Sequence, residues 1–157
     1  MNEELAKIVD NGILFTFDEI KILLHVCGVS EINGVYMPQK IYAEEDILYA
    51  MAHMEKNGII IAGKEGFFIR KDVQQMLEIM KSPIQQYIWS AEPTEQISYT
   101  EQISYKETME YFCYVSEKGI VVSERYWKKP DTIKLRFFQM LAFEDWKREI
   151  QNDYCRH

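Results

Sequence analysis

EEDILYAMAHMEKNGIIIAGKEGFFIR, residues 44–70, decides the fold. Ile47, Leu48, Met51 and Met54 recur at helical spacing, so the first half of the stretch predicts a helix that turns these residues to a core. Glu44, Glu45, His53, Glu55 and Lys56 fall largely on the other side. The three leading carboxylates sit in the first turn, where the helix dipole favours negative charge. Asn57-Gly58 then supplies a residue that accepts positive φ where a helix stops. Ile59, Ile60 and Ile61 are β-branched and suit a strand. Gly63-Lys64-Glu65-Gly66 is a polar turn, and Phe67, Phe68 and Ile69 form the returning strand.

Upstream of this stretch, Thr16-Phe17-Asp18-Glu19 has capping-box form, with Thr16 as N-cap and Glu19 at N3. The helix it starts carries Ile20, Leu23, Leu24 and Cys27 on one face and stops at Gly28. Asn33-Gly34 and Pro38 mark residues 31–40 as a loop. Helix, loop, helix, hairpin resembles a winged helix. In that layout the helix before the hairpin enters the DNA major groove with its N-terminal residues nearest the bases. Here those residues are Glu44, Glu45 and Asp46. DNA carries about one negative charge per 1.7 Å of axis, so three carboxylates at the entering tip oppose the contact. The hairpin offers Lys64, Arg70 and Lys71 against Glu65. Charge placement therefore favours a protein contact or a simple scaffolding role over nucleic acid.

Asp72 predicts the N-cap of a further helix, with Gln75 at N3 and Val73, Met76, Leu77 and Met80 on its apolar face. Ser82-Pro83 ends it, because the residue before proline is pushed out of helical geometry. A division is placed there: a winged-helix-like half, residues 1–82, and a second half, residues 83–157, with one continuous domain as the other possibility. The second half reads as an antiparallel sheet. Tyr87-Ile88-Trp89 is a short strand. TEQISYTEQISY, residues 94–105, writes one hexapeptide twice and alternates Ile97, Tyr99, Ile103 and Tyr105 against polar residues, broken only by Glu101 on the same face. Such a strand could pair with a copy of itself, so a homodimer is one expectation. Residues 111–115 and 120–127 form a hairpin about Glu117-Lys118-Gly119. Residues 132–138 alternate Ile133, Leu135 and Phe137 against Lys134 and Arg136, the pattern of a strand with one wet face. From Met140 onward Phe143, Trp146 or Lys147, Ile150 and Tyr154 follow helical rhythm, giving a closing helix over one sheet face. The fold class expected is α+β.

The chain has 157 residues, 47% of them apolar and 27% charged, with a net charge of −7. That is enough apolar content for a core, and the charge argues against a general nucleic-acid or anionic-membrane binder. The odd count of three cysteines, Cys27, Cys113 and Cys155, argues reduced thiols in a cytoplasm rather than a disulfide framework. MNEELAKIVDNG has no long apolar run, so no secretory leader is expected. No stretch reaches the ~18 apolar residues of a membrane span.

No catalytic motif stands out. The seven glycines never form a phosphate-binding pattern, and no serine or cysteine lies in a nucleophile signature. His25 and Cys27 point about 200° apart on a helix and cannot easily share a metal with Cys155 and His157. No cofactor and no metal are called for, and a non-enzymatic protein is expected. Arg125, Lys128, Lys129, Lys134 and Arg136 form a basic cluster interleaved with Tyr126, Trp127 and Phe137. The candidate partner-binding residues are Tyr99, Tyr105, Arg125, Tyr126, Trp127, Lys128 and Lys129.

FTFDEIKILLHVCGV (15–29), AEEDILYAMAHMEKNGIII (43–61), VSEKGIVVSERYW (115–127) and TIKLRFF (132–138) together resemble the layout of EspG-like accessory proteins of type VII secretion. The resemblance implies a cytosolic chaperone or adaptor that holds a secreted helical substrate. The alternative is a winged-helix transcription regulator whose C-terminal half senses a ligand or dimerises. A regulator requires a positive stripe along the helix at residue 44 and the hairpin; an adaptor requires an exposed apolar or aromatic patch instead, expected on the sheet near Tyr99, Tyr105, Tyr126 and Trp127, with the winged-helix-like half as scaffold or docking surface.

Overall fold

The computed structural model describes residues 12–36, 38–91, 109–125 and 131–156. In chain order these give β1 (Ile13–Thr16), α1 (Phe17–Val26), α2 (Glu44–Lys56), β2 (Ile60–Gly63), β3 (Gly66–Ile69), α3 (Lys71–Lys81), β4 (Gln85–Ala91), β5 (Met109–Ser116), β6 (Gly119–Arg125), β7 (Thr132–Phe138) and α4 (Met140–Arg156). An antiparallel five-stranded sheet runs β1-β7-β6-β5-β4, and β2-β3 form a separate two-stranded hairpin. The protein is α+β, with a C-terminal helix on the sheet.

Local sequence explains most of these elements. Thr16 Oγ1 accepts from the Glu19 backbone N–H at 3.1 Å, and Glu19 Oε1 accepts from the Thr16 N–H at 2.8 Å, so the capping box is closed both ways. α2 ends because Gly58 takes φ +73°, which lets the Ile59 N–H reach back to the Met54 carbonyl at 2.9 Å. The Arg70 N–H then bonds the Ile59 carbonyl at 2.9 Å and closes the base of the hairpin. Asp72 is not the N-cap of α3. That position belongs to Arg70, which makes no side-chain cap bond. Asp72 sits inside the first turn, where its carboxylate accepts from the Val73 N–H and from the Arg70 guanidinium.

β1 pairs with β7, Phe15 opposite Ile133. No strand is predicted at residues 13–16 from sequence, because four residues show no period of their own and the partner lies more than a hundred residues away. This pairing brings α1 onto the sheet. One core cluster contains Phe15, Ile20, Leu24 and Met76 from one side of Pro83, and Tyr114 and Leu135 from the other. A second cluster lies on the opposite sheet face, where Phe143 and Trp146 of α4 meet Tyr111, Cys113, Val122 and Phe138. The sheet is therefore a middle layer with helices on both faces.

That layering corrects two expectations. β7 has no wet face: Arg136 is buried beneath α4 and Lys134 is half-buried. Alternation of charge and apolar residues marks the two faces of a strand, but not whether a helix covers the charged one. On α2, Ile47 and Leu48 do not face the core. Ala50 and Met54 do, and Leu48 stays 58% exposed. Helical spacing finds an apolar stripe, but only the width of the neighbouring element decides how much of it is covered.

Candidate functional site

Three surfaces concentrate functional side chains. The first is a cleft of about 560 Å³ between the start of α1, the loop at residues 36–40, α2 and the start of β7. Its floor is Glu19, whose side chain is almost wholly buried, with Oε2 at 2.9 Å from His53 Nδ1. The other ring nitrogen of His53 lies 3.3 Å from the Asn57 side-chain amide, so the imidazole is held at both ends. Asp18 accepts from the Tyr42 hydroxyl at 2.7 Å and pairs with Lys40 at 3.0 Å. Partial burial raises the Asp18 pKa, but these two donors outweigh it and hold the carboxyl below its ordinary value. Burial first, and then the bond to Asp18, push the Tyr42 phenol upward. Lys21 donates to the Pro38 carbonyl and ties the loop to α1. Phe17, Tyr36 and Tyr49 supply aromatic walls, with Phe17 and Tyr36 edge-to-face at 5.2 Å between centroids.

The second is a smaller cavity, about 290 Å³, on the sheet side of the same two rings. Phe112 and Ser123 face each other across β5 and β6, and Arg125 pairs with Ile133 across β6 and β7. The Arg125 guanidinium lies 5.6 Å from the centre of the Phe17 ring. The loop at residues 31–36 is pinned over this region, because the Asn33 carbonyl accepts from the Tyr114 hydroxyl at 2.6 Å and from Gln86 at 3.0 Å. Gly34 is required there: it has φ +90°, and a Cβ on it would lie 2.5 Å from the Phe112 ring.

The third is the outward side of α2 and of the hairpin. Leu48 and Phe68 are each 58% exposed and Ile61 53%, whereas Phe67, 50% exposed, stands opposite Ala62 on the other face of the hairpin. Ile61 stands opposite Phe68 in the register, so both point away from the face on which Ile60 is buried. The Phe68 ring lies across Gly63, where an added Cβ would meet it at 2.4 Å. Exposed charges beside these residues are mixed: Glu44, Glu45, Asp46 and Glu55 with Lys56 on α2, and Lys64 with Glu65 in the turn.

Of the candidate partner-binding residues, Arg125 is placed, exposed at the end of β6. Tyr99, Tyr105, Tyr126, Trp127, Lys128 and Lys129 lie outside the described residues, as does the duplicated hexapeptide. The described members of the basic cluster, Arg125, Lys134 and Arg136, do not share one face. Arg125 shares a sheet face with Ser123 and Ile133, whereas Lys134 and Arg136 belong to the α4 face. Residues nearby in sequence alternate between faces, so a run of charges along two strands divides in two. Arg136 instead pairs with Glu124 at 3.0 Å beneath α4.

Sequence reasoning missed the α1–α2 cleft. Its signal was the capping-box glutamate, which has a second oxygen free for a partner, and a histidine on the helix that follows. Among the described residues no group of three or more histidine, cysteine, aspartate or glutamate side chains could hold a metal ion. Among them, too, no helix is long and apolar enough to cross a membrane. Cys27 and Cys113 are free thiols, and burial pushes the Cys113 thiol up to about 12. Comparison of the chain with protein-family models, with curated proteins and with solved structures finds no match.

Proposed function

We propose that the chain is a non-enzymatic protein-interaction module that docks a partner on the outward side of α2 and the β2–β3 hairpin. The observation that carries this is the exposure of Leu48 on α2 and of Ile61 and Phe68 on one face of the hairpin that follows it. Large apolar side chains grouped on a surface mark a site that another molecule covers. The exposed charges of α2 are predominantly acidic. This disfavours the regulator alternative, whose corresponding helix would have to approach phosphates. The partner class implied by the EspG-like resemblance is a secreted helical protein, held in the cytoplasm before export. A helix laid against apolar anchors is a common mode of such recognition.

Affinity capture from native cytosol, repeated with Leu48→Lys and Phe68→Lys chains, tests the reading. Burying the exposed half of either side chain is worth about 1 kcal/mol. A lysine at the position adds a desolvation cost, so each change weakens retention by about tenfold or more. A discrete protein retained by the wild type through rising salt and lost by both variants supports docking here. Retention of DNA that collapses steeply with salt, or of a protein indifferent to both changes, overturns it.

A further inference from the structure

We propose that the cleft between α1 and α2 receives an arginine or lysine side chain from a helical partner segment seated on α2. This rests on the docking reading above and names the chemistry that the partner must carry.

Leu48 and Tyr49 are adjacent on α2, so their side chains diverge by about 100°. A helix laid along the outward face of α2, between the Leu48 and Tyr49 side chains, has one flank at the cleft that Tyr49 lines. Two features of the cleft select a cation. The first is aromatic: Phe17, Tyr36 and Tyr49 wall it, and ring faces attract ammonium and guanidinium groups. Tyr49 is 77% exposed, which leaves most of a large ring for an incoming group. The second is charge. The Lys40 ammonium is taken up by Asp18 at 3.0 Å, and Glu19 is buried beneath His53. Asp46 also lines the cleft, with one oxygen accepting from the Ala43 N–H at 3.1 Å, and Asp131 adds a further carboxylate to the lining. A cleft of about 560 Å³ admits a guanidinium with its methylene stem. The chain's net charge of −7 steers a cationic segment toward the protein. Charge complementarity thus commits the occupant to a basic amphipathic helix.

The test is fluorescence anisotropy at physiological salt with two labelled helical peptides. One is an amphipathic leucine–arginine peptide, and the other has the same sequence with neutral citrulline for each arginine. Wild-type chain is expected to bind the arginine peptide about tenfold more tightly than the citrulline one. Tyr49→Ala and Asp131→Asn alter exposed side chains and leave the fold intact. Each is expected to weaken the arginine peptide by about three- to tenfold, while Tyr49→Phe, which keeps the ring face, restores binding. Equal affinity for the two peptides, no binding of either, or indifference to both Tyr49→Ala and Asp131→Asn overturns the anchor. Leu48→Lys separates the two proposals. If it abolishes binding while the cleft variants do not, the docking face stands and the anchor falls. If the cleft variants abolish binding and Leu48→Lys does not, the anchor stands and the docking face falls.

Discussion

Replacing Glu124 by alanine would leave the Arg136 guanidinium buried with no counter-charge. The two side chains are only 11% and 8% exposed, and one Arg136 nitrogen meets a Glu124 oxygen at 3.0 Å. The remaining guanidinium nitrogens, Nε and Nη1, have no hydrogen-bond partner, and neither does the Trp146 indole nitrogen. The guanidinium lies 5.5 Å from the centre of the Trp146 ring, so the α4 contact holds it in place. Breaking a buried pair by removing one partner costs about 3–5 kcal/mol, because the other charge stays desolvated. For a chain of this size that lowers Tm by roughly 6–20 °C. It is also a large part of a typical stability of about 5–15 kcal/mol. The assay is urea unfolding followed by tryptophan fluorescence, at matched m-value, for Glu124→Ala, Arg136→Met and the Glu124→Leu/Arg136→Met double variant. The double variant should recover most of the loss in Glu124→Ala, since replacing both charges with apolar groups is near neutral or stabilising. A loss below about 1 kcal/mol for Glu124→Ala, the range of an exposed pair, would refute the placement of this pair beneath α4.

Three further outcomes are expected. Cys113, fully buried on β5 with its thiol pushed up to about 12 by burial, should resist alkylation at pH 8 until urea unfolds the chain, as read by peptide mass spectrometry; rapid labelling in the native state would contradict its position. Gly34→Ala combines a left-handed backbone with contact against Phe112, so it should destabilise by at least about 1–2 kcal/mol, measured by urea midpoint. The folded-state pKa of Asp18 is depressed below its ordinary 3.8, so the folded state binds its proton more weakly and the group contributes stability that is complete above that value and is lost as pH falls through the folded one. Asp18→Asn should therefore lose less stability than wild type between pH 5 and pH 2; equal slopes would sink that assignment.

The sequence carried the elements that announce themselves locally. Thr16 and Glu19 give a capping box whose two bonds are both present. Gly58 stops α2, and the apolar stripe of α3 is buried at Val73, Met76, Leu77 and Met80. Features set by distant partners were not legible. β1 exists only because β7 lies beside it, and Arg136 is buried only because α4 crosses the sheet above it. The exposure of Leu48 and Phe68 has the same origin: periodicity reports an apolar face, and tertiary packing decides whether it is covered. The cleft needed two helices brought together by the Glu19–His53 contact, which no local pattern encodes.

Hydrogen exchange on the complex with the captured partner tests the docking claim most directly. New protection is expected in residues 44–56 and 60–69, with the amides of β5 and β6 unchanged. Protection confined to the sheet, with α2 and the hairpin exchanging as in the free chain, would contradict it.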